Sequence, residues 1–433
     1  MESIHDIVKN INQEIIDIRR DIHKYPELGF CEFKTAYKII TYLKNLNFDV
    51  QFGQEVLIKD DIIGAPSDKQ LKEYKNRAIK EGVPSEIADK LDNCMTAIVA
   101  TLDTKKEGKT IAFRFDMDAN EISESKDLSH RPNKENFASL HEGVMHACGH
   151  DGHTAIGLGL AKTLFLIKEQ LVGKIKLIFQ PAEEGVRGAN AMINTNILDD
   201  VDYFFSGHIG INVRKNNVIV ASTKNFLASS KFIVKFKGLS SHAGLSPEKG
   251  KNALLAACQA TLGLYSISQH GKGMSKVNVG ILNSGTAHNT IADFANLTFQ
   301  TRGQTNQINS DVIKKAKDVI YGAAKMYDCD VDIELLGSSM DYIPNNDFSD
   351  EIYDFINKSN LYEQVIKYGD MNASEDCTAF LNKVSNNNKK GIYMMYGAKL
   401  ANEHHNPNFD FDESVLSNTC ELLALLAKKY THN

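Results

Sequence analysis

The chain has 433 residues, of which 42% are hydrophobic and 24% charged, a composition typical of a globular protein of about two or three domains. Its 49 basic and 55 acidic residues give a net charge of −6, which argues against nonspecific binding to nucleic acid or an anionic membrane. No apolar run reaches the roughly 18–20 residues of a transmembrane helix. The start of the sequence lacks the apolar core of a signal peptide, and the seven scattered cysteines suit a reducing compartment. We therefore predict a cytoplasmic protein.

The first half of the chain predicts an α/β architecture. Residues 4–20 place branched aliphatic side chains on one side of a helix, and residues 67–92 predict a charged helical insertion at the surface. Strand-like and helical runs then alternate, over 96–102, 110–115, 153–169, 174–179 and 203–206. This alternation predicts a mixed sheet flanked by helices, with ligands bound beyond the ends of its strands.

Residues 222–336 have a different pattern. The predicted order is strand, helix, strand, strand, helix, strand, over 232–238, 252–268, 276–281, 294–301, 309–327 and 330–335. This βαββαβ order is typical of a compact two-layer α+β domain. We therefore predict a discontinuous first domain, 1–221 and 337–433, into which 222–336 is inserted as a second domain.

The run from His146 to His153 holds three histidines, Cys148 and Asp151 at a predicted strand-to-helix junction. Thiolate and imidazole groups suit Zn, Mn, Co or Ni better than Mg or Ca, so the run predicts a metal site that includes Cys148 and His150. Two alternatives remain: a glycine-rich turn whose histidines cap the next helix, or Cys148 as an activated nucleophile.

Three further candidates lie elsewhere in the chain, and two of them are at the ends of predicted strands. Glu183 and Glu184 are adjacent, so one could bind metal while the other acts as a general base. His208 lies at the end of a strand, and His404 and His405 face opposite ways if the chain is extended, so that one of them is a candidate ligand. Alternatively, the two glutamates are solvated acids in a turn, His208 is a structural histidine, and the last two histidines lie at the surface.

Asp116 and Asp118 end the strand-like run 110–115. They are either direct ligands or groups that orient a ligating histidine, and we favour the second role for both and for Asp151. The sequence contains neither a phosphate-binding G-x-x-x-x-G-K-[ST] loop nor a G-x-S-x-G nucleophile motif.

Together these motifs resemble the M20 metallopeptidase family, in particular its amidohydrolase branch. The resemblance runs over nearly the whole chain, and it is carried by MHACGHDGHTAIGLGLA (145–161), KLIFQPAEEGVRGANAM (176–192), NALLAACQATL (252–262) and HHNPNFDFDE (404–413). It implies hydrolysis of the amide bond of an N-acyl amino acid. Within the branch the motifs and the insertion are most similar to those of enzymes that cleave p-aminobenzoyl-glutamate into p-aminobenzoate and glutamate.

Other activities stay open within this resemblance. The substrate could be hippurate, indoleacetyl-aspartate or an N-acetyl amino acid, and a carboxypeptidase or dipeptidase activity would use the same centre. A metal-dependent aminopeptidase and a non-catalytic partner subunit are more remote alternatives.

The resemblance also implies a centre with two divalent ions per subunit, Mn or Zn first, with Co and Ni as alternatives. The implied ligands are Cys148, which bridges the two ions, and His150, Glu184, His208 and His405. Glu183 is the implied general base.

The inserted domain resembles the lid and dimerisation domain of the family. The resemblance implies that His242 reaches the partner's active site and polarises the scissile carbonyl, and that Asn289 and Arg302 lie near the free carboxylate of the substrate. By themselves these residues would be a surface histidine, a turn residue and a solvated arginine. The implied partners are a small acyl-amino-acid substrate and a second subunit, in a homodimer or in a heterodimer with a related chain.

Overall fold

The computed structural model describes residues 2–432, which divide into two compact units. The first unit comprises the chain up to Lys224, Tyr342–Met371 and the chain from Asp376 onward, and the second comprises Asn225–Asp341 and Asn372–Glu375. The sequence placed the insertion at 222–336. The second unit extends to 341 because its last strand pairs with its first as far as Ser339.

The strands and helices are numbered in chain order. The strands are β1 (Asp49–Phe52), β2 (Ile98–Asp103), β3 (Thr110–Asp116), β4 (Lys174–Gln180), β5 (Tyr203–Ile209), β6 (Val218–Lys224), β7 (Ala228–Lys237), β8 (Ser275–Ser284), β9 (Phe294–Gly303), β10 (Asp330–Ser339), β11 (Gln364–Asp370) and β12 (Lys390–Tyr396). The helices are α1 (Ile4–Lys24), α2 (Phe33–Asn45), α3 (Asp68–Lys80), α4 (Ser85–Leu91), α5 (Arg131–Lys134), α6 (His150–Leu166), α7 (Gly188–Ile193), α8 (Ala253–Tyr265), α9 (Asn306–Met326), α10 (Asn346–Ser359), α11 (Thr378–Asn386) and α12 (Ser414–Thr431).

Helix α1 shows how the sequence pattern produces local structure. The hydroxyl of Ser3 accepts a hydrogen bond from the main-chain N–H of Asp6 and caps the helix. The aliphatic residues that recur every three or four positions are all buried, namely Ile4, Ile7, Val8, Ile11, Ile15 and Ile18. Helices α3 and α4 form the helical insertion that the sequence predicts over 67–92.

The first unit contains a mixed sheet with the strand order β1-β2-β4-β3-β5-β12-β6-β11. Strand β3 is parallel to β4 and to β5, and β12 is parallel to β5. Strand β3 is buried along its whole length, as expected for a strand with helices on both faces. The predicted mixed sheet flanked by helices is therefore confirmed, and β3, β4, β5 and β12 all end at one edge.

The second unit is an antiparallel sheet, in the order β10-β7-β9-β8, against which α8 and α9 pack. The predicted βαββαβ order is confirmed. Its core is formed by residues of the two helices and one sheet face, including Phe232, Val234, Phe236, Ala256, Ala260, Leu297, Phe299, Ile320 and Ala324. Residues alternate along β9, so that Thr298, Gln300 and Arg302 are only half-buried.

All seven cysteines are free thiols. Among residues 2–432, none of the helices has the combination of length and apolar character that crossing a bilayer requires.

Candidate metal centre

Four strands of the first unit bring candidate ligands to one edge of the sheet. Strand β3 ends at Asp116, Glu183 follows β4, His208 lies near the end of β5, and His405 follows β12. Because these strands are linked by parallel pairing, their carboxyl ends share this edge, which is where α/β sheets usually bind their ligands.

Cys148 and His150 flank a glycine turn at the start of α6. Gly149 has a φ of 93°, a left-handed conformation that residues with a Cβ atom rarely adopt. Helix α6 begins at the next residue, so the two side chains leave the backbone on either side of a sharp turn. As a result, Cys148, His150 and His208 offer ligand atoms that lie within 4.8 Å of one another.

Among the described residues, three further groups of ligand atoms share a member with this one, and two of them contain Glu184. The first of these two is Cys148, Glu184 and His405, and the second is His150, Glu183 and Glu184, each again within 4.8 Å. The shared members show that the groups form one continuous cluster of nitrogen, sulfur and oxygen donors.

Direct contacts link members of the cluster that are far apart in sequence. Sγ of Cys148 lies 3.4 Å from Nε2 of His208, and Nε2 of His405 lies 3.0 Å from Oε1 of Glu184. The structure thus brings together all five residues that the sequence assigns as ligands, with the carboxylate of Glu183 beside them.

Hydrogen bonds select the ring nitrogen that each buried histidine presents to the cluster. Nδ1 of His150 donates to the main-chain oxygen of Asp118 at 2.9 Å, and Nδ1 of His208 donates to the main-chain oxygen of Ile209, also at 2.9 Å. Both Nε2 atoms are therefore available as ligands, since a ligating imidazole normally donates through its other nitrogen. Within residues 2–432 His404 belongs to none of these groups of ligand atoms, and its Nε2 donates to the oxygen of Ile209 at 3.1 Å.

Asp116 is held by its neighbours. One carboxylate oxygen accepts a hydrogen bond from Nδ1 of His153 at 2.6 Å and the other accepts from Arg114 at 2.8 Å. The same oxygen that contacts His153 lies 3.8 Å from Nε2 of His150. Sequence reasoning did not single out Arg114, whose alternation with Asp116 along β3 looks like an ordinary strand pattern.

Asp151 faces a buried network behind the cluster. It contacts Nε of Arg19 at 2.7 Å and Nδ1 of His23 at 2.8 Å, and His23 also contacts Glu124 at 3.0 Å. Arg19 and His23 were missed as site-supporting residues, and the only local signal was their spacing of four on α1, which places them on one helix face.

Burial and neighbouring charges shift the pKa values of the donors. Burial raises the pKa of the Cys148 thiol well above its ordinary value, and it lowers that of His208. Burial alone would also lower the pKa of His150, but the charge of Asp116 raises it well above the ordinary value. For Glu184, hydrogen bonding to His405 outweighs burial and lowers the pKa to about 2. Since ligands must be deprotonated, binding of an ion would release protons from the thiol and from His150.

The donor set fits a divalent ion of intermediate softness. Imidazole and thiolate ligands suit Zn and the neighbouring transition metals. In addition, Nε2 of His150 is buried without a hydrogen-bond partner within residues 2–432, although buried polar atoms are normally satisfied. An ion bound to this atom would satisfy it.

His242, Asn289 and Arg302 all belong to the second unit. His242 is exposed in the loop between β7 and α8, where its Nδ1 accepts two main-chain hydrogen bonds of 3.1 Å from its own loop. The main-chain oxygen of Asn289 accepts a hydrogen bond of 3.0 Å from Ala243, so these two loops are in contact. Arg302 lies on β9.

Comparisons with known proteins agree with this chemistry. The model of peptidase family M20/M25/M40 matches residues 112–429. The chain is 42% identical over 431 residues both to the indole-3-acetyl-aspartic acid hydrolase of Enterobacter agglomerans and to a subunit of the p-aminobenzoyl-glutamate hydrolase of Escherichia coli, covering 99% of this chain and of each relative. The crystal structure of the aminobenzoyl-glutamate utilization protein from Klebsiella pneumoniae matches with a TM-score of 0.83 and 35% identity, over 99% of this chain and 98% of that one.

Clustered metal donors beside a carboxylate suit metal-assisted hydrolysis, and the family match and the hydrolase relatives identify the class as a metal-dependent hydrolase that acts on amides. The chain belongs to peptidase family M20. The resemblance to the amidohydrolases of that family is confirmed by the two relatives that match along their whole length.

Proposed function

We propose that this chain hydrolyses the amide bond between an aromatic acyl group and an acidic amino acid, with p-aminobenzoyl-glutamate as the first candidate substrate and indole-3-acetyl-aspartate as the second. The observation that carries the proposal is the full-length identity of 42% to the hydrolases of these two compounds. Both compounds combine an aromatic acyl group with a dicarboxylic amino acid.

The proposed metal ligands are Cys148, His150, Glu184, His208 and His405. Their donor atoms fall into overlapping groups, which supports a site that would hold divalent ions. When bound, divalent ions supply Lewis acidity and lower the pKa of a coordinated water toward neutrality. We propose Mn or Zn as the metal, because the donor set suits both.

Glu183 is the proposed general base. Its carboxylate is largely buried and its Oε2 lies 3.9 Å from Nε2 of His150, so it is beside the donors without replacing them. It would take a proton from the attacking water and return it to the nitrogen of the leaving amine. Asp118 would hold it in place, because a carboxylate oxygen of Asp118 accepts the main-chain N–H of Glu183 at 3.0 Å.

The roles proposed for the second unit rest on the resemblance. His242 would donate a hydrogen bond to the carbonyl oxygen as negative charge develops on it, consistent with an Nδ1 that already accepts two hydrogen bonds. Arg302 would pair with the α-carboxylate of the substrate. Asn289 lies beyond the opposite end of β9 and contacts the loop of His242, so it would bind the carboxylate end of a substrate in the partner's site, together with His242. We propose that this unit is the lid and dimerisation domain, and that the chain works in the cytoplasm.

The activity can be tested on the purified chain after its metal is removed and Mn or Zn is added back. The panel contains p-aminobenzoyl-glutamate, indole-3-acetyl-aspartate, hippurate, an N-acetyl amino acid and a dipeptide. We expect metal-dependent release of p-aminobenzoate from the first compound and a much slower release by Glu183→Gln. A preference for hippurate or the N-acetyl amino acid would show that the proposed substrate is wrong, while the proposed amide hydrolysis would stand.

The relative from Escherichia coli is one subunit of its hydrolase, which supports a related partner for this chain as well. Light scattering of the purified chain separates a homodimer, at twice the monomer mass of 48.1 kDa, from a monomer. A monomer without activity that becomes active when a related chain is added would favour the heterodimer.

A further inference from the structure

A pocket of about 510 Å³ lies within the second unit, at the start of β8. Lys276 and Asn278 of β8, Gln300 and Arg302 of β9 and Tyr265 of α8 all line it. Among residues 2–432, no aspartate or glutamate lines this pocket. Its lining is therefore positively charged.

The two cations of the pocket are cross-strand neighbours. Lys276 is paired with Arg302 in the register of β8 and β9, and Asn278 is paired with Gln300 beside them. Directly opposite residues of an antiparallel pair have Cβ atoms about 4.5–5.5 Å apart, and like charges in such positions are unfavourable. A dianionic ligand would remove this repulsion.

Elsewhere in this sheet, a carboxylate on a neighbouring strand neutralises the charge of a lysine. Nζ of Lys235, on β7, lies 2.7 Å from a carboxylate oxygen of Glu334 on β10. Within residues 2–432, in contrast, neither Lys276 nor Arg302 has a carboxylate oxygen within 4.0 Å. The pocket thus keeps two positive charges available to a ligand.

We propose that Lys276 and Arg302 together bind the two carboxylates of the amino-acid part of the substrate. Arg302 takes the α-carboxylate with two parallel hydrogen bonds, and Lys276 takes the side-chain carboxylate as a point charge. Lys276 therefore selects glutamate and aspartate conjugates over those of neutral amino acids. This inference rests on the proposed function, in which Arg302 binds the α-carboxylate.

The amides beside the two cations add hydrogen-bonding capacity. The hydroxyl of Tyr265 donates to Oδ1 of Asn278 at 3.3 Å, which leaves the amide NH₂ of Asn278 as a donor for a carboxylate. Gln300, opposite it in the register, offers the same group.

The test compares p-aminobenzoyl-glutamate with p-aminobenzoyl-glutamine, which has the same shape without the second charge. In Lys276→Gln we expect KM for the glutamate conjugate to rise about tenfold, as for the loss of one hydrogen bond to a charged group, with kcat unchanged. Turnover of the glutamine conjugate should stay as in the wild type, and Lys276→Arg should restore the preference. Lys237→Gln, on β7 and outside the pocket, is the matched control.

Equal changes for both conjugates in Lys276→Gln, or no change for either, would overturn the proposal. Glutarate, a dicarboxylate without an amide bond, gives a readout that needs no turnover. The wild type should bind glutarate about tenfold more tightly than Lys276→Gln does. Butyrate, which has one carboxylate, should bind weakly and with equal affinity to both proteins. Equal glutarate affinities of the wild type and Lys276→Gln would overturn the proposed binding of two carboxylates by Lys276 and Arg302, even if the enzyme is active. If the wild type binds glutarate about tenfold more tightly than Lys276→Gln but hydrolyses neither conjugate, the result would count against the proposed function alone.

Discussion

Asp118 and Glu184 are joined by a hydrogen bond of 2.9 Å from the main-chain N–H of Glu184 to a carboxylate oxygen of Asp118. The other carboxylate oxygen accepts the N–H of Glu183 at 3.0 Å, and the main-chain oxygen of the same aspartate accepts Nδ1 of His150. One buried residue after β3 therefore orients the proposed base and two of the proposed ligands.

We expect Asp118→Ala to lower metal affinity by about 10–100-fold, the usual effect of removing a group that orients ligands. The alanine would leave two main-chain N–H groups without their acceptor and free the loop that carries both glutamates. Competition with a chromogenic chelator measures the affinity for Zn and Mn. The half-buried Asp103, which pairs with Lys105, provides the control variant Asp103→Ala. Unchanged affinity in Asp118→Ala would show that the loop keeps its shape without the carboxylate.

Glu183→Gln should lower kcat by about 10²–10⁴-fold, since general-base catalysis contributes that much, while the metal content stays at the wild-type level. Glu184→Gln is the matched comparison, because its carboxylate belongs to the donor group with Cys148 and His405. It should lose metal together with activity. Kinetics on p-aminobenzoyl-glutamate combined with metal analysis separates the two outcomes, and near wild-type kcat in Glu183→Gln would remove it as the base.

The part of the site that could be predicted is the part encoded locally. His146 to His153 are contiguous, and Glu183, His208 and Asp116 each lie at or just after a strand that its apolar pattern reveals. Because parallel strands end at one edge, those separate motifs converge. The second unit was likewise predictable, because its strands and helices have clear and different periodicities.

The supporting contacts could not be predicted because they depend on tertiary packing. Arg19 and Asp151 come from different helices, and no periodicity links them. The pairing of Lys276 with Arg302 depends on the register of two strands, and a shift by one residue would place one of the two side chains on the opposite face. Strands β6, β11 and β12, whose positions the sequence analysis did not predict, also complete the sheet of the first unit.

The buried His23 gives the stability of the protein a specific pH dependence. Burial alone would lower its pKa, but hydrogen bonds to Asp151 and Glu124 raise it to about 9. A histidine whose pKa is higher in the folded state stabilises the fold fully below its unfolded value of about 6.5, and this contribution is lost as the pH rises through about 9.

We therefore expect the difference in free energy of unfolding between the wild type and His23→Gln to shrink between pH 6.5 and 9. Its slope should not exceed about 1.4 kcal/mol per pH unit, the limit for one proton. Denaturant unfolding in the presence of a chelator measures it without a contribution from bound metal. The exposed His5 supplies the control His5→Gln, which should follow the wild type. A pH-independent difference between the wild type and His23→Gln would contradict the assignment.

Gly157 allows α6 to lie directly on the sheet. A Cβ atom at this position would lie 2.7 Å from ring atoms of both Phe115 and Phe179, two buried side chains whose rings are themselves in contact at 5.5 Å between centroids. We expect Gly157→Ala to destabilise the protein by about 1–3 kcal/mol, because a packed core has no room for an added methyl group. Gly322, in α9, has no atom within 4 Å of the corresponding position, so Gly322→Ala should stabilise by up to about 1 kcal/mol through helix propensity alone. Urea unfolding of the two variants measures these opposite signs, and stabilisation by Gly157→Ala would show that the helix can move away from the two phenylalanines.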